Sequence, residues 1–498
     1  MQQQSAIVVG AGFGGIAAAL RMRAKGYQVT LLDKGTQLGG RAQVFQREGF
    51  TFDAGPTVVT APFLFDELFQ LFEKKREDYV EFVPLEPWYR FVYPDHSHFD
   101  YGGTVEDTLA EIRRVAPEDE QGYLSLLKAS EEIFDVGFTE LADEPFHEFA
   151  KMVKQIPHLL RLNSHKTVWQ LVCKYLQSEK LRQAFSIQPL LVGGNPFDTT
   201  CIYNLIHFLE REWGIHFAMG GTGAIVNSLE KLMLEEGIEI VTQAHVTEFT
   251  YQGRRVTGVD TADGSHYAAD IVISNMDPSH LYRNVIPKQK QHVMTRAKTA
   301  TAKHSMGLFV LYFGTDKQYE DVVHHTIWLG KRYKPLLDDI FNKQILADDF
   351  SLYLHRPTAT DPSFAPDGCD SFYVLSPVPN MAAEIDWQSH GQEYADKIIA
   401  ALEASIMPEL SDHLKVQFHM TPADFVEQYD THLGTGFSIA PTLTQSAWFR
   451  YHNKAEGFDN LYLVGAGTHP GAGMPGVLCS AKVLDKLIPE AEVLANVG

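Results

Sequence analysis

The sequence predicts an α/β protein in which a parallel-sheet domain, assembled from three separated stretches of chain, is interleaved with an antiparallel-sheet domain and a helical subdomain. Three observations carry this reading. An apolar run, a glycine-rich turn and an alanine-rich stretch open the chain, Ala6-Ile-Val-Val-Gly-Ala-Gly-Phe-Gly-Gly15. Strand and glycine-loop patterns of the same kind return near residues 220 and 460. Between them lie Pro-punctuated aromatic runs that read as strands, and residues 115–215, helical in periodicity with few turn signals.

The first unit is the most informative. Gly10-x-Gly12-x-x-Gly15 leads into Ile16-Ala-Ala-Ala-Leu20, then a second apolar strand, Val29-Thr-Leu-Leu-Asp33. Gly10 permits the tight strand-to-helix turn, Gly12 lets backbone approach a pyrophosphate, and Gly15 lets helix and strand pack closely. The pyrophosphate then rests on free N–H groups at the positive end of the helix dipole. Asp33 can accept hydrogen bonds from a ribose hydroxyl. A glycine triplet alone is weak, but strand, turn, helix, strand and acid arrive in order. The expectation is a Rossmann-like dinucleotide site that includes Phe13, Gly14 and Lys34. The chain then runs into Gly39-Gly40-Arg41-Ala42 and Phe50-Thr-Phe-Asp53-Ala-Gly55-Pro56-Thr57 instead of further βα units. Two glycines and an arginine can wrap the far side of a pyrophosphate, with Arg41 offsetting its charge, or can be an ordinary turn.

Further along, Pro87-Trp-Tyr-Arg-Phe-Val-Tyr93 reads as strand. Gly220-Gly-Thr-Gly223 opens a helix ending near Gly237, followed by strands at Ile238–Val241 and Val246–Thr250. A hairpin turns at Asp263-Gly264, and Ala269–Asn275 is a buried strand. Leu308–Phe313 and Phe350–Leu354 belong to a second sheet. The last unit, Leu461-Tyr-Leu-Val-Gly465-Ala-Gly467-Thr-His-Pro-Gly471-Ala-Gly473-Met-Pro-Gly476, could be a second nucleotide site or a structural glycine turn. No acid-terminated strand follows it. The expectation is that this strand inserts beside the first one and that its loop, with the helix beginning near Pro475, meets the same bound nucleotide.

Composition excludes other classes. The 498 residues carry 42 basic against 63 acidic side chains, a net charge of −21, which favours solubility and argues against a nucleic-acid partner. Cys173, Cys201, Cys369 and Cys479 are scattered, so neither a redox-disulfide flavoenzyme nor a cysteine zinc site is expected. No apolar run reaches the roughly 20 residues needed to span a bilayer, and because Met1–Ser5 leads straight into a strand no secretory signal is expected. His324-His325 reads as an ordinary surface or edge pair, and no metal site is expected. No Gly-x-Ser-x-Gly motif is present, and no catalytic acid or base is assigned.

The glycine and arginine motifs around Gly10 and Gly39–Arg41 resemble those of the flavin-binding amine-oxidase and carotenoid-desaturase superfamily. With Asp53-Ala-Gly-Pro-Thr57, Leu191-Val-Gly-Gly-Asn-Pro196, Gly220-Gly-Thr-Gly223, Leu443-Thr-Gln-Ser-Ala-Trp-Phe449 and Gly465–Gly476, the chain resembles the bacterial phytoene desaturases nearly end to end. The resemblance implies FAD as the only prosthetic group. By position its contacts are Gly10, Gly12, Gly15, Asp33, Gly40, Arg41, Pro56, Thr57, Val246 (backbone, near the adenine), Gly465, Met474, Pro475, Gly476 and Val477. It implies an FAD-binding domain over 1–62, 216–290 and 436–498, a substrate domain over 63–114 and 291–435, and a helical membrane-associating subdomain over 115–215. The implied reaction passes a hydride from an allylic carbon to flavin N5 and a proton from its neighbour, turning phytoene stepwise into a more conjugated carotene such as lycopene. A carotenoid isomerase or oxidase of the same fold, a flavin amine oxidase acting on a small polar substrate, and a lipid-carrying relative are the competing readings. The last is disfavoured by the intact glycine set and Asp33.

Such a substrate poses a delivery problem. At ~0.8 kcal/mol per methylene-sized unit, a forty-carbon polyene costs on the order of 30 kcal/mol to pass through water. The expectation is therefore uptake from the bilayer by a cytoplasmic enzyme lying peripherally on the inner face of the cell membrane, with oxygen or a membrane quinone as electron acceptor. Residues 149–185 are the candidate docking segment: Lys151, Lys154, Arg161, Lys166, Lys174, Lys180 and Arg182 stand against the single acid Glu179. Met152, Val153, Ile156, Leu159 and Leu160 form one apolar stripe, and Val168, Trp169, Leu171, Val172, Tyr175 and Leu176 form a second. Both stripes could instead pack inward.

Overall fold

The computed structural model describes residues 2–494; Met1 and 495–498, at the outer ends of the first and last expected stretches, lie outside the described residues. The three separated stretches do meet in one parallel sheet. Its strands lie in the spatial order Glu239–Val241, Gln28–Leu32, Ser5–Val9, Ile271–Ser274 and Leu461–Leu463. They are near-continuous apolar runs because both faces of a parallel sheet are covered. Helix α1 (Phe13–Ala24) follows the first strand and buries ten of its residues, Phe13 through Met22. One expectation fails here. The terminal strand does not lie beside the first, because Ile271–Ser274 stands between them, with Ile273 opposite Val8 on one side and Tyr462 on the other. Val272 and Ile273 are wholly buried and take the interior place. The three-residue Leu461–Leu463 strand closes the edge, where a short strand exposes few unpaired backbone groups.

A three-stranded antiparallel layer (Val246–Gln252, Arg255–Thr261, His266–Ala268) follows the expected turn, where Gly264 adopts φ +86°. The second domain rests on a seven-stranded sheet in the order Leu414–Met420, Gly307–Thr315, Asp370–Val378, Leu352–His355, His325–Trp328, Tyr89–Val92, His98–Tyr101. All neighbours are antiparallel except His325–Trp328 against Tyr89–Val92. Every residue of Gly307–Thr315 is buried.

Residues 115–215 are helical, as periodicity predicts, and include α2 (Phe149–Arg161) and α3 (Leu205–Trp213). They have no separate core. Leu126, Ile133, Val172 and Leu176 bury in the same cluster as Tyr89, Phe99 and Leu308 of the large sheet. This corrects half of the docking expectation. Val168, Leu171, Val172 and Leu176 are at most 5% exposed, so the second apolar stripe faces the core. Its helix (Val168–Tyr175) is started by a Thr167–Gln170 capping box and laid against Glu120–Phe134. Of the two stripes, that of α2 stays exposed: Phe149, Val153, Ile156 and Leu160 are 56%, 46%, 43% and 66% exposed. The chain closes with α4 (Met474–Lys482), which packs against α1. Among the described residues no helix is long and apolar enough to cross a membrane.

Candidate active site

A cavity of about 570 Å³ opens at the carboxyl ends of the parallel strands, where ligands of open α/β sheets bind. Sixteen of the seventeen expected cofactor residues line it: Gly10, Gly12, Phe13, Gly14, Asp33, Lys34, Gly40, Arg41, Pro56, Thr57, Val246, Gly465, Met474, Pro475, Gly476 and Val477. Gly15 lies behind it. A Cβ there would stand 1.9 Å from the Gly10 carbonyl oxygen, so its role is the close helix–strand contact that the motif implied.

Local geometry explains the motif. Gly10 turns the chain at φ +95° while its N–H donates to Leu32 O at 2.8 Å, locking turn to strand. Asp33 accepts the N–H of Ala11 at 2.6 Å and of Gly35 at 2.7 Å, which fixes its carboxylate at the cavity wall. Gly39 donates to Ala11 O at 2.8 Å and brings the Gly39-Gly40-Arg41 turn onto the first loop. Gly55 meets that turn in its own way: a Cβ on it would fall 2.1 Å from Arg41 O. The Asp53–Thr57 loop is clamped by Tyr312 donating to Ala54 O, Tyr373 to Gly55 O and Thr222 to Pro56 O.

Arg41 makes no ion pair among the described residues, and burial pushes its guanidinium downward from its ordinary value. A cation left without an anion at a cavity wall is a place for one. Lys34 differs: its ammonium is tied to Asp430 at 2.8 Å and to Glu427 O at 2.9 Å, so it lines the cavity with its charge already paired. From the other side, the Gly465 loop (φ +98° at Gly465, +90° at Gly473) delivers α4 with its first N–H groups toward the same space. Asn275, at the carboxyl end of its buried strand, is what these glycines make room for. Its Oδ1 would stand 2.6 Å from a Cβ on Gly14 and 2.5 Å from one on Gly465, and its Nδ2 donates to Gly10 O.

Beyond the loops the cavity becomes apolar, walled by residues such as Leu191, Ile206, Leu209, Val310 and Leu375. The Leu191–Pro196 and Leu443–Phe449 motifs both place residues on this wall. Its polar features are few. Thr57 Oγ1 lies 2.7 Å from the Tyr373 hydroxyl and 3.1 Å from that of Tyr353, which in turn lies 2.8 Å from His325 Nδ1. Glu210 and Tyr89 form a second polar pair.

The reading of His324-His325 as a surface or edge pair is wrong. Both are buried, because the His325–Trp328 strand is interior to the sheet, flanked on both sides. With His355 they bring ring nitrogens within 4.8 Å of one another. Burial holds His324 and His325 well below the ordinary imidazole range and His355 down to about 3, so all three are neutral. The His325 and His355 rings stack, 5.4 Å apart with 26° between planes. The His324 ring stands edge-on to both, at 79° to His325 and 68° to His355.

Residues 13–482 match the family of flavin-containing amine oxidoreductases. The chain belongs to that family. Two relatives sharpen the likeness. The chain is 47% identical over 485 residues to the phytoene desaturase (lycopene-forming) of Pseudescherichia vulneris, spanning 97% of this chain and 99% of that one. It is 45% identical over 484 residues to the enzyme of the same description from Pantoea ananas, spanning 97% and 98%. An oxidoreductase structure from Methanosarcina mazei superposes with a TM-score of 0.67 at 16% identity, covering 97% of this chain and all of that one, which shows the fold alone.

The family's flavin here is FAD, and the cradle fits it. Gly10–Gly14 and the start of α1 suit a pyrophosphate, unpaired Arg41 its charge, Asp33 a ribose hydroxyl, and the Thr57 loop and the first turn of α4, Met474–Val477, the space beyond. Bound there, FAD supplies a two-electron acceptor. Asn275, Tyr353, Tyr373 and Glu210 escaped the sequence reading. For Asn275 a signal existed, a polar pair with Ser274 directly after the apolar Ile271-Val-Ile273 run.

Proposed function

We propose that the chain is an FAD-dependent carotenoid desaturase that converts phytoene stepwise to lycopene. The observation that carries this reading is end-to-end identity of 45–47% with lycopene-forming desaturases. The apolar half of the cavity supports it, because it offers dispersion and exclusion of water rather than recognition of a small charged amine. The protein's part is to hold one C–C bond of the polyene in register and keep water out. Expression in cells that accumulate only phytoene tests the reading. Lycopene should appear in the pigment extract; colourless cells, with purified protein that oxidises a small amine, overturn it.

The substrate, in this proposal, enters from a membrane through α2. Met152 and Leu159 of this helix line the cavity while Phe149, Val153, Ile156 and Leu160 face outward. Phe149 rests 4.9 Å from Trp448, and Leu443 and Phe449 beside it are 36% and 38% exposed. One surface therefore offers apolar side chains to a bilayer directly over a cavity wall, and the same helix carries Lys154, Arg161 and the Glu144-paired Lys151 to attract anionic headgroups. Attachment is peripheral, on the inner face of the cell membrane. Electrons pass on to oxygen or a membrane quinone, which turnover in anaerobic vesicles with and without quinone distinguishes.

A further inference from the structure

Desaturation removes a hydride and a proton, and the sequence motifs supply no group for the proton. We propose that Glu210 is the catalytic residue that accepts it. The proposal rests on the desaturase reading. Each step breaks two C–H bonds on neighbouring carbons. One leaves with its electron pair as hydride to the oxidised flavin; the other leaves its pair behind as the new C=C π bond and gives its proton to a Glu210 carboxylate oxygen.

Placement carries the argument. Four carboxylates line the cavity: Asp33, Asp277, Asp430 and Glu210. Three are occupied in or beside the nucleotide cradle. Asp33 holds the Ala11 and Gly35 N–H groups. Asp277 holds the Ser279 and His432 N–H groups and the Ser438 hydroxyl. Asp430 is paired with Lys34. Glu210 is different. It stands on α3, whose Leu205, Ile206 and Leu209 also line the cavity, so it is an acid set into an apolar wall. It is 1% exposed, with Oε1 accepting from the Tyr89 hydroxyl at 3.2 Å and Oε2 without a hydrogen-bond partner. Burying a carboxyl oxygen without a hydrogen-bond partner is costly.

The surroundings tune it as a base. Burial is the largest influence and pushes the Glu210 carboxyl up to about 8, while the Tyr89 hydroxyl, Gln188 and Arg211 pull it down. Tyr101 and Tyr123 also face it, as neutral phenols. Arg211 spends its donors on Gly103 O, Thr108 Oγ1 and the Tyr123 hydroxyl, so it moderates the charge without pairing with it. The other basic side chain on the apolar wall, His469, donates through Nε2 to Leu141 O and is held down to about 4 by burial, which makes it the weaker acceptor.

The test uses purified, FAD-loaded full-length enzyme with phytoene in vesicles, comparing wild type, Glu210→Gln and Glu210→Asp. Glutamine keeps the volume and the bond from Tyr89 but takes no proton. A general base contributes typically 10²–10⁴-fold, so kcat should fall by at least about a hundredfold while KM moves by less than about threefold. Wild-type kcat should rise with pH to a plateau above about 8, a limb that Glu210→Gln lacks and Glu210→Asp retains at lower turnover. An infrared titration without substrate, made in an Asp53→Asn background because buried Asp53 titrates near 7, gives a second readout: a protonated-carboxyl carbonyl band that disappears with a midpoint near 8 and is missing once Glu210→Gln is added. Glu210→Gln that binds FAD and turns over within about threefold of wild type with the same pH limb overturns the proposal. So does an Asp53→Asn protein with no carboxyl band titrating in that range, which decides the matter even where Glu210→Gln fails to fold. A wild type that makes no desaturated product defeats the desaturase reading itself, and the assignment of Glu210 falls with it.

Discussion

The docking surface on α2 gives a prediction whose size follows from exposure. Phe149 and Leu160 are 56% and 66% exposed, at opposite ends of one helix face. Fully burying a side chain of this size is worth about 1.5–3 kcal/mol, so moving the exposed part of each into the acyl boundary of a bilayer gains about 1–2 kcal/mol per residue. Replacing both with glutamine removes about 3 kcal/mol of partition energy, about a hundredfold in the vesicle partition coefficient at 1.4 kcal/mol per decade. The folded state loses little, because these atoms already face solvent. The assay is co-sedimentation of wild type and the Phe149→Gln/Leu160→Gln variant with vesicles containing anionic lipid, with FAD absorbance and thermal unfolding as checks on the fold. Binding within about threefold of wild type would refute the argument. A matched pair of changes on the second stripe, at Val172 and Leu176, should instead lower stability, since both are buried in the core.

Other outcomes follow from the cradle and the buried acids. Arg41→Met should weaken FAD binding about 10–150-fold, the worth of one charge-assisted hydrogen bond of about 1.5–3 kcal/mol, read by fluorescence titration of the apoprotein. Gly15→Ala should abolish stable flavin retention and cost about 3 kcal/mol of stability in urea, because its Cβ meets the backbone oxygen of Gly10 at 1.9 Å and nothing flexible can yield. Charge reversal at Lys151, Lys154 and Arg161 should reduce binding to anionic vesicles by up to about 3 kcal/mol at low salt, with a smaller effect as salt rises, followed by sedimentation across a salt series. Asp53 is fully buried, and burial pushes its carboxyl up to about 7 against the opposing N–H of Thr222. Its folded value lies above the unfolded one, so its contribution is present in acid and is lost as pH rises from about 4 to about 7. Asp53→Asn should flatten urea stability across that window by as much as about 4 kcal/mol.

What the sequence could and could not disclose has a physical pattern. The nucleotide cradle was legible because its chemistry is local. Gly10, Gly15 and Asp33 act through contacts inside one strand–turn–helix–strand unit, and their spacing states the geometry. Composition also foresaw that three distant stretches would share a sheet, since only strands covered on both faces are apolar throughout. The order of those strands was not legible. Ala269–Ser274 and Leu461–Leu463 are alike in pattern, and which becomes the edge depends on backbone pairing between segments nearly two hundred residues apart. The same limit misplaced His324-His325. Two adjacent histidines look solvated until a parallel neighbour, Tyr89–Val92, covers the strand from the side that the local pattern cannot see. The second apolar stripe of 149–185 was misassigned for a related reason. Periodicity reports that a helix has an apolar face and is silent on whether that face meets a core or a lipid surface. Glu210 is the limiting case. Within Leu205–Trp213 it is one of two acids on an amphipathic helix, where a solvated carboxylate is the ordinary expectation. Only the fold turns the helix so that this carboxylate joins Leu205, Ile206 and Leu209 on the cavity wall, where burial changes its chemistry. Cofactor motifs are written in neighbouring residues, whereas a proton acceptor for a hydrocarbon is defined by what surrounds it.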